Sequence, residues 1–326
     1  MLVFMQIFKP KKNFAFVYSK NSFKLMVKLA LIDFFNKKLK RIIFCKFGIS
    51  NNNNANKIAC ASSELSKTNN NANKSLKQEN SIELLCLMYH NVVADNQKQG
   101  SYEIRVSALE KDFVELKKMG YQCVDRKNLL SITDKKRYGK YVMITFDDGF
   151  YGVYKYVPKL LEKHNMSCIV SVVGEFMDIA DKQNFKSRCS YMNTKEVKEL
   201  AKNQRIEIAH HSYNMHHFGQ DRQGVKIRQD ENAEEYTNKL MDDTKNLNNK
   251  LRSIGINART YCYPFGAYCK ESERLFKELN YQMTMTCNEK INYIKDRNSL
   301  YLIGRINRSA NYENISNMLL KTCNKK

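Results

Sequence analysis

With 326 residues, 43% of them hydrophobic, the chain can bury one large core or two modest ones. Its net charge of +22 is unevenly spread: residues 1–80 hold 15 Lys and Arg against 3 Asp and Glu, so the first quarter carries more than half of the excess. No nucleic-acid-binding motif or basic–aromatic stripe accompanies that charge, which excludes a nucleic-acid partner, and no apolar run reaches the roughly 18–20 residues of a membrane span.

Residues 1–50 read as a basic N-terminal segment. Residues 23–35 are apolar but broken by Lys24, Lys28 and Asp33, too interrupted for a transmembrane helix or a clean signal peptide. Peripheral association with an anionic membrane or cell surface and a simple N-terminal extension both fit. Residues 51–80, with Asn51–Asn54 and Asn69–Asn71, read as a disordered Asn-rich linker. The folded domain is expected over 81–326.

There, strand-like and helix-like segments alternate. Strands are expected at 84–89, 121–124, 141–146, 166–173, 205–211, 260–263, 281–287 and 301–306. Helices are expected at 108–119, 154–164, 194–202, 231–254 and 271–279. Such alternation implies an α/β fold with a parallel sheet, open or closed into a barrel, whose functional groups gather at the strand C-termini. The ten cysteines show no Cys-x-x-Cys pair, and those in strand-like runs, such as Cys86, Cys168 and Cys287, read as reduced core thiols.

The strand at 141–146 ends in Asp147-Asp148-Gly149. Adjacent carboxylates at the end of a buried strand repel one another and resist desolvation unless a cation offsets them; an ordinary turn or helix cap is the plainer reading. A second strand ends in His210-His211-Ser212-Tyr213-Asn214-Met215-His216-His217, four of the six histidines in the chain, and favours a metal. Asp148, His211 and His216 are the candidate ligands, with open positions for water and substrate, and Asp147 is the candidate general base. His90, at the end of the first strand, is an open case. His164 reads as a structural helix-end residue, and His210 and His217 as non-ligands.

Thr145-Phe146-Asp147-Asp148-Gly149, His211-Ser212-x-x-x-His216 and Tyr263-Pro264-Phe265-Gly266-Ala267-Tyr268, together with Leu87-Met88-Tyr89-His90 and Leu302-x-x-Arg305-Ile306, resemble the polysaccharide deacetylase family, carbohydrate esterase family four. The resemblance covers roughly residues 83–310 and is similar to the branch acting on poly-N-acetylglucosamine and cell-wall polymers. It implies a distorted (β/α) barrel that removes N-acetyl groups from a polysaccharide with a divalent metal: zinc, or cobalt or nickel. It makes Asp147 the base and Asp148, His211 and His216 the ligands, and gives the backbone N–H near Phe265 to the oxyanion. Tyr263, Pro264, Tyr268 and Tyr213 become substrate-binding candidates, although core packing explains an aromatic ring equally well. The family also implies a location outside the cytoplasm or at the cell surface.

Two positions depart from the family pattern. Cys262 stands where many members carry an arginine, and no histidine follows His217 to serve as general acid. Arg305 is therefore expected to orient Asp147, with the leaving amine protonated by Asp147 or by water. An O-acetyl polysaccharide esterase, a catalytically silent carbohydrate-binding relative and a non-haem iron oxygenase are the rival readings.

Overall fold

The computed structural model describes residues 82–219, 222–308 and 312–323; the N-terminal segment 1–50 and the linker 51–80 lie outside the described residues. In chain order the strands are β1 (Ile82–Tyr89), β2 (Asn91–Val93), β3 (Glu103–Arg105), β4 (Gln122–Cys123), β5 (Gly139–Phe146), β6 (Cys168–Val172), β7 (Ile206–His210), β8 (Thr260–Cys262), β9 (Met283–Met285), β10 (Asn292–Ile294) and β11 (Ile306–Asn307). The helices are α1 (Val106–Lys118), α2 (Arg126–Asp134), α3 (Tyr151–Lys163), α4 (Gly174–Asp181), α5 (Thr194–Leu200), α6 (Ala233–Ser253), α7 (Lys270–Glu278) and α8 (Ile315–Cys323), with 3₁₀ turns at Pro264–Gly266 and Arg297–Leu300.

The main sheet runs β10-β1-β5-β6-β7-β8-β9, with β11 also on β1 and β4 also on β5. All its pairings are parallel except β10 with β1. β1 and β5 pair along their whole length, from Ile82 opposite Gly139 to Tyr89 opposite Phe146. Because side chains alternate along a strand, one parity faces out and the other in. Leu85, Leu87 and Tyr89 of β1, Val142, Ile144 and Phe146 of β5, and Cys168, Val170 and Val172 of β6 pack in the outer core with apolar residues of α1, α3 and α5. Leu84 and Cys86, Tyr141 and Met143, Ile169, Ala209, Cys262, Met283 and Met285 fill the inside of the curl. The expected distorted α/β barrel is present, with both faces of its sheet buried.

Three expectations at the level of elements are corrected. The strand expected at 301–306 is a bent connector: Leu302 takes φ 58°, Ile303 bridges Met285 of β9, and only Ile306–Asn307 pair with β1. The connector thereby links the two sides of the curl. The strands expected at 121–124 and 281–287 shorten to β4 and β9, leaving Cys287 beyond the strand and only partly buried, while Cys86 and Cys168 are buried free thiols as expected. Helices α2, α4 and α8 were not foreseen. α4 opens with Gly174, a poor helix former, required because a Cβ there would lie 2.2 Å from the Tyr213 ring.

Candidate active site

The inward parity of β5 continues past its end to Asp147, whose N–H still donates to the Tyr89 carbonyl at 2.9 Å, as if the strand went on. The chain then reverses through two consecutive left-handed residues, Asp148 (φ 69°) and Gly149 (φ 71°). A non-glycine residue held in that region costs about 1–3 kcal/mol. The reversal separates the neighbouring carboxylates and gives each its own partners.

Asp147 meets Arg305. The guanidinium Nη1 donates to Oδ1 and Nη2 to Oδ2, both at 2.8 Å, while Nε reaches the Thr286 carbonyl at 3.1 Å and Nη1 also reaches Thr145 Oγ1 at 3.2 Å. Ser171 Oγ adds a third donor to Asp147 Oδ1 at 2.7 Å. Arg305 is fully buried and Asp147 nearly so. Burial alone would push the Asp147 carboxyl up, but the charges of Arg305 and His211 and the Arg305 hydrogen bonds outweigh it and hold the group well below the usual carboxylate range. Around the guanidinium, burial pushes the thiols of Cys86 (to about 12), Cys262 and Cys287 up. They stay neutral and leave Asp147 as the counter-charge.

Asp148 meets the histidines. Its Oδ1 lies 3.1 Å from His216 Nε2 and 3.5 Å from His211 Nε2. The His211 N–H continues the β6–β7 ladder to the Val172 carbonyl, and His211 Nδ1 lies 2.7 Å from the Cys262 carbonyl oxygen, so Nδ1 donates there and Nε2 is left with a lone pair toward Asp148. The turn to His216 is built by Ser212, left-handed at φ 74°, whose Oγ accepts from Met215 N at 2.6 Å. Asp243 of α6 braces it by accepting from Tyr213 N (2.9 Å) and Asn214 N (2.6 Å). His210, of opposite parity, is buried outside this cluster: it stacks on Tyr261 at 4.8 Å and accepts from Ser212 N.

The ligand atoms of Asp148, His211 and His216 all lie within 4.8 Å of one another. Two imidazole nitrogens and a carboxylate, with one histidine tautomer set by a backbone carbonyl, fit zinc, cobalt or nickel with positions to spare. Electrostatics agree with a cation here. Burial pulls His211 down, yet the charges of Asp147 and Asp148 win and raise it.

The other expected residues are placed as follows. Tyr263 is fully buried, its ring packed against Tyr261, Tyr268 and Phe276; its side chain is core and offers no face to a substrate, which corrects its assignment as a substrate contact. Pro264 is buried at the start of the 3₁₀ turn and Tyr268 leans on Tyr263 at its other end. Tyr213 turns toward α4, donating to Asp178 Oδ2 at 2.6 Å. Phe265 takes φ 58° and holds a 40% exposed ring 4.6 Å from the His216 ring. His164 caps α3 against Glu110, and His217 is exposed.

Ser171, Thr286 and Asp243 were missed; Ser171 alone had a signal, a hydroxyl at an inward position of β6. His90 follows β1 directly, its ring 5.0 Å from Tyr102, and burial draws its imidazole down against the opposing charges of Asp148 and Asp147. Two cavities of about 360 and 350 Å³, one lined by Arg259 and Gln282 and the other by Arg126 and Glu207, lie at the opposite, N-terminal ends of the strands.

Comparison with known proteins adds four findings. Residues 134–284 match the family model described as polysaccharide deacetylase. The poly-beta-1,6-N-acetyl-D-glucosamine N-deacetylase of Escherichia coli K12 is 26% identical over 227 residues; the match takes in 62% of this chain and 33% of that protein, so the chain spans about a third of the length of this relative. Among solved structures, a de-N-acetylase from Aggregatibacter actinomycetemcomitans superposes with a TM-score of 0.61 at 23% identity, covering 74% of this chain and 99% of that one. A Streptococcus pyogenes deacetylase in complex with acetate superposes with a TM-score of 0.57 at 18% identity, covering 74% and 98%.

Proposed function

We propose that the chain is a polysaccharide deacetylase, a reading supported by the match of residues 134–284 to that family's model, and that it hydrolyses the acetamide of N-acetylglucosamine units in a polysaccharide, breaking the C–N bond to leave acetate and a free amine. The observation that carries this reading is the pairing of an Asp148–His211–His216 cluster with a separate, Arg-held carboxylate on the neighbouring residue. A divalent ion held by that triad would polarise the acetamide carbonyl and acidify water. Asp147, kept ionised by Arg305 and Ser171, takes the proton of the attacking water. Arg305 positions Asp147 through its two parallel hydrogen bonds. The Phe265 N–H, in the turn after β8, donates to the developing oxyanion. The leaving amine takes its proton from Asp147, which holds it after deprotonating the water, or from water itself.

The choice of N-acetylglucosamine polymer rests on the activity of the E. coli relative; the metal, zinc, cobalt or nickel, rests on the donor set. Such a substrate places the protein outside the cytoplasm or at the cell surface. Among the described residues no helix is long and apolar enough to cross a membrane.

The test is acetate release from N-acetylglucosamine oligomers and from an O-acetylated polysaccharide. Metal-stripped protein is assayed before and after zinc or cobalt is restored, beside Asp147→Asn. Metal-dependent release from the N-acetyl substrate, reduced about 10²–10⁴-fold by the substitution, is expected. Release from the O-acetyl substrate alone, or metal binding with no release, refutes the reading.

A further inference from the structure

Large apolar side chains left in solvent carry information when they cluster. Phe218 is 65% exposed and Phe265 40% exposed, and their rings lie 5.3 Å apart. Of the other strongly exposed aromatics among the described residues, Tyr102 lies against His90 at 5.0 Å, and Tyr138, Phe185 and Tyr293 form no pair with one another. The Phe218–Phe265 pair is continuous with the metal cluster, because the Phe265 ring sits 4.6 Å from His216 and Phe176 flanks His216 at 5.3 Å. Packing explains Phe176, which is stacked on Tyr191 at 4.2 Å. It does not explain Phe218, a ring held in water just after the turn that carries His216.

We propose that Phe218, extended by Phe265, is a stacking platform for a sugar ring adjacent to the unit being deacetylated, and that it makes the enzyme prefer oligomers to single sugars. This rests on the function proposed above and names a determinant of its chain-length specificity. A pyranose has faces of axial C–H bonds that lie flat on an aromatic ring, while its hydroxyls stay in water around the edge. An exposed phenyl ring offers such a face at low entropic cost, since it has two side-chain torsions to fix. A ring with no hydrogen-bonding group is suited to any sugar of the polymer, acetylated or not, and therefore to a neighbouring position where acetylation need not be read.

The test uses the full chain loaded with zinc. Phe218→Ala is assayed on the pentamer and the monomer of N-acetylglucosamine and on p-nitrophenyl acetate, which has an acetyl group but no sugar. Removing the ring forfeits the apolar area it buries under one sugar face, so KM for the pentamer is expected to rise roughly five- to tenfold, with kcat within about twofold and no change on the monomer or on p-nitrophenyl acetate. Because the chain has no tryptophan, Phe218→Trp introduces a single tryptophan that can be excited selectively over the tyrosines, and its emission is expected to shift with pentamer and not with monomer. An active wild type with unchanged pentamer KM in Phe218→Ala overturns the platform alone. Equal losses on p-nitrophenyl acetate also overturn it, by showing a structural or metal-site effect. A wild type that releases no acetate from any sugar overturns the platform together with the function it rests on.

Discussion

Replacing Arg305 by methionine removes four hydrogen bonds at once: two to Asp147, one to Thr145 and one to the Thr286 carbonyl. The side chain is among the largest fully buried ones in the domain, and Asp147 beside it is only 2% exposed, so the carboxylate left behind cannot regain water. Truncating one partner of a buried ion pair costs about 3–5 kcal/mol, because the other charge is stranded. For a domain of this size, that is a fall of roughly 6–20 °C in Tm at about 2–4 °C per kcal/mol. Stability and activity should fall together, because Asp147 loses the fork that keeps it ionised and aimed: kcat for acetate release should drop at least about a hundredfold. Zinc stoichiometry should stay near one, since none of the lost bonds touches Asp148, His211 or His216. Arg305→Lys keeps the charge but not the fork and should fall between the two. The assays are differential scanning calorimetry, metal analysis of the purified variants and acetate release. A methionine variant within about 1 kcal/mol of wild type with kcat preserved would refute the assignment of Arg305 as the residue that holds the base; loss of zinc would show that the two halves of the site are not separable as described.

Two further outcomes follow from neighbouring contacts. Asp243→Ala withdraws the carboxylate that accepts from Tyr213 N and Asn214 N, so the turn leading to His216 loosens; zinc affinity should weaken about 10–100-fold while Asp147→Asn leaves it unchanged, read by competition with a chromogenic chelator. Lys250 joins Asp178 (2.7 Å) and Asp181 (3.0 Å), tying α6 to α4. Burial raises both carboxyls, but hydrogen bonds from Lys250, and from Tyr213 or Thr194, bring the net direction down. With folded values depressed, their stabilisation is fully present above the ordinary carboxylate range near pH 4 and is lost as pH falls through the lowered values. Wild type should therefore lose Tm more steeply than Lys250→Ala below about pH 4; equal slopes would refute the coupling.

How far the molecule was legible from its residues depended on the length scale of each interaction. The strand expected at 141–146 and the polar residues at its end could be read directly, because an apolar run stopping at Asp147-Asp148 is a local pattern and strand ends collect function in α/β folds. The ligand set Asp148, His211 and His216 was likewise named from spacing and residue type, and the structure brings those three together. Tyr263 shows the limit: an aromatic in a motif can stack on a substrate or fill a core, and only packing against Tyr261 and Phe276 decides for the core.

By itself the sequence determined which side chains share a face and where each strand gives way to polar residues, since both follow from a two-residue period and local composition. Tertiary structure alone decided who meets whom across the curl. Arg305, 158 residues beyond Asp147, closes on it with both nitrogens of its fork, and the Cys262 position that lacks an arginine contributes a backbone carbonyl to His211 instead. The bent connector at 303–307 decides this: strand register and a left-handed Leu302 set where a distant segment re-enters the sheet. Those are properties of the assembled hydrogen-bond ladder, and no stretch of the chain encodes them alone.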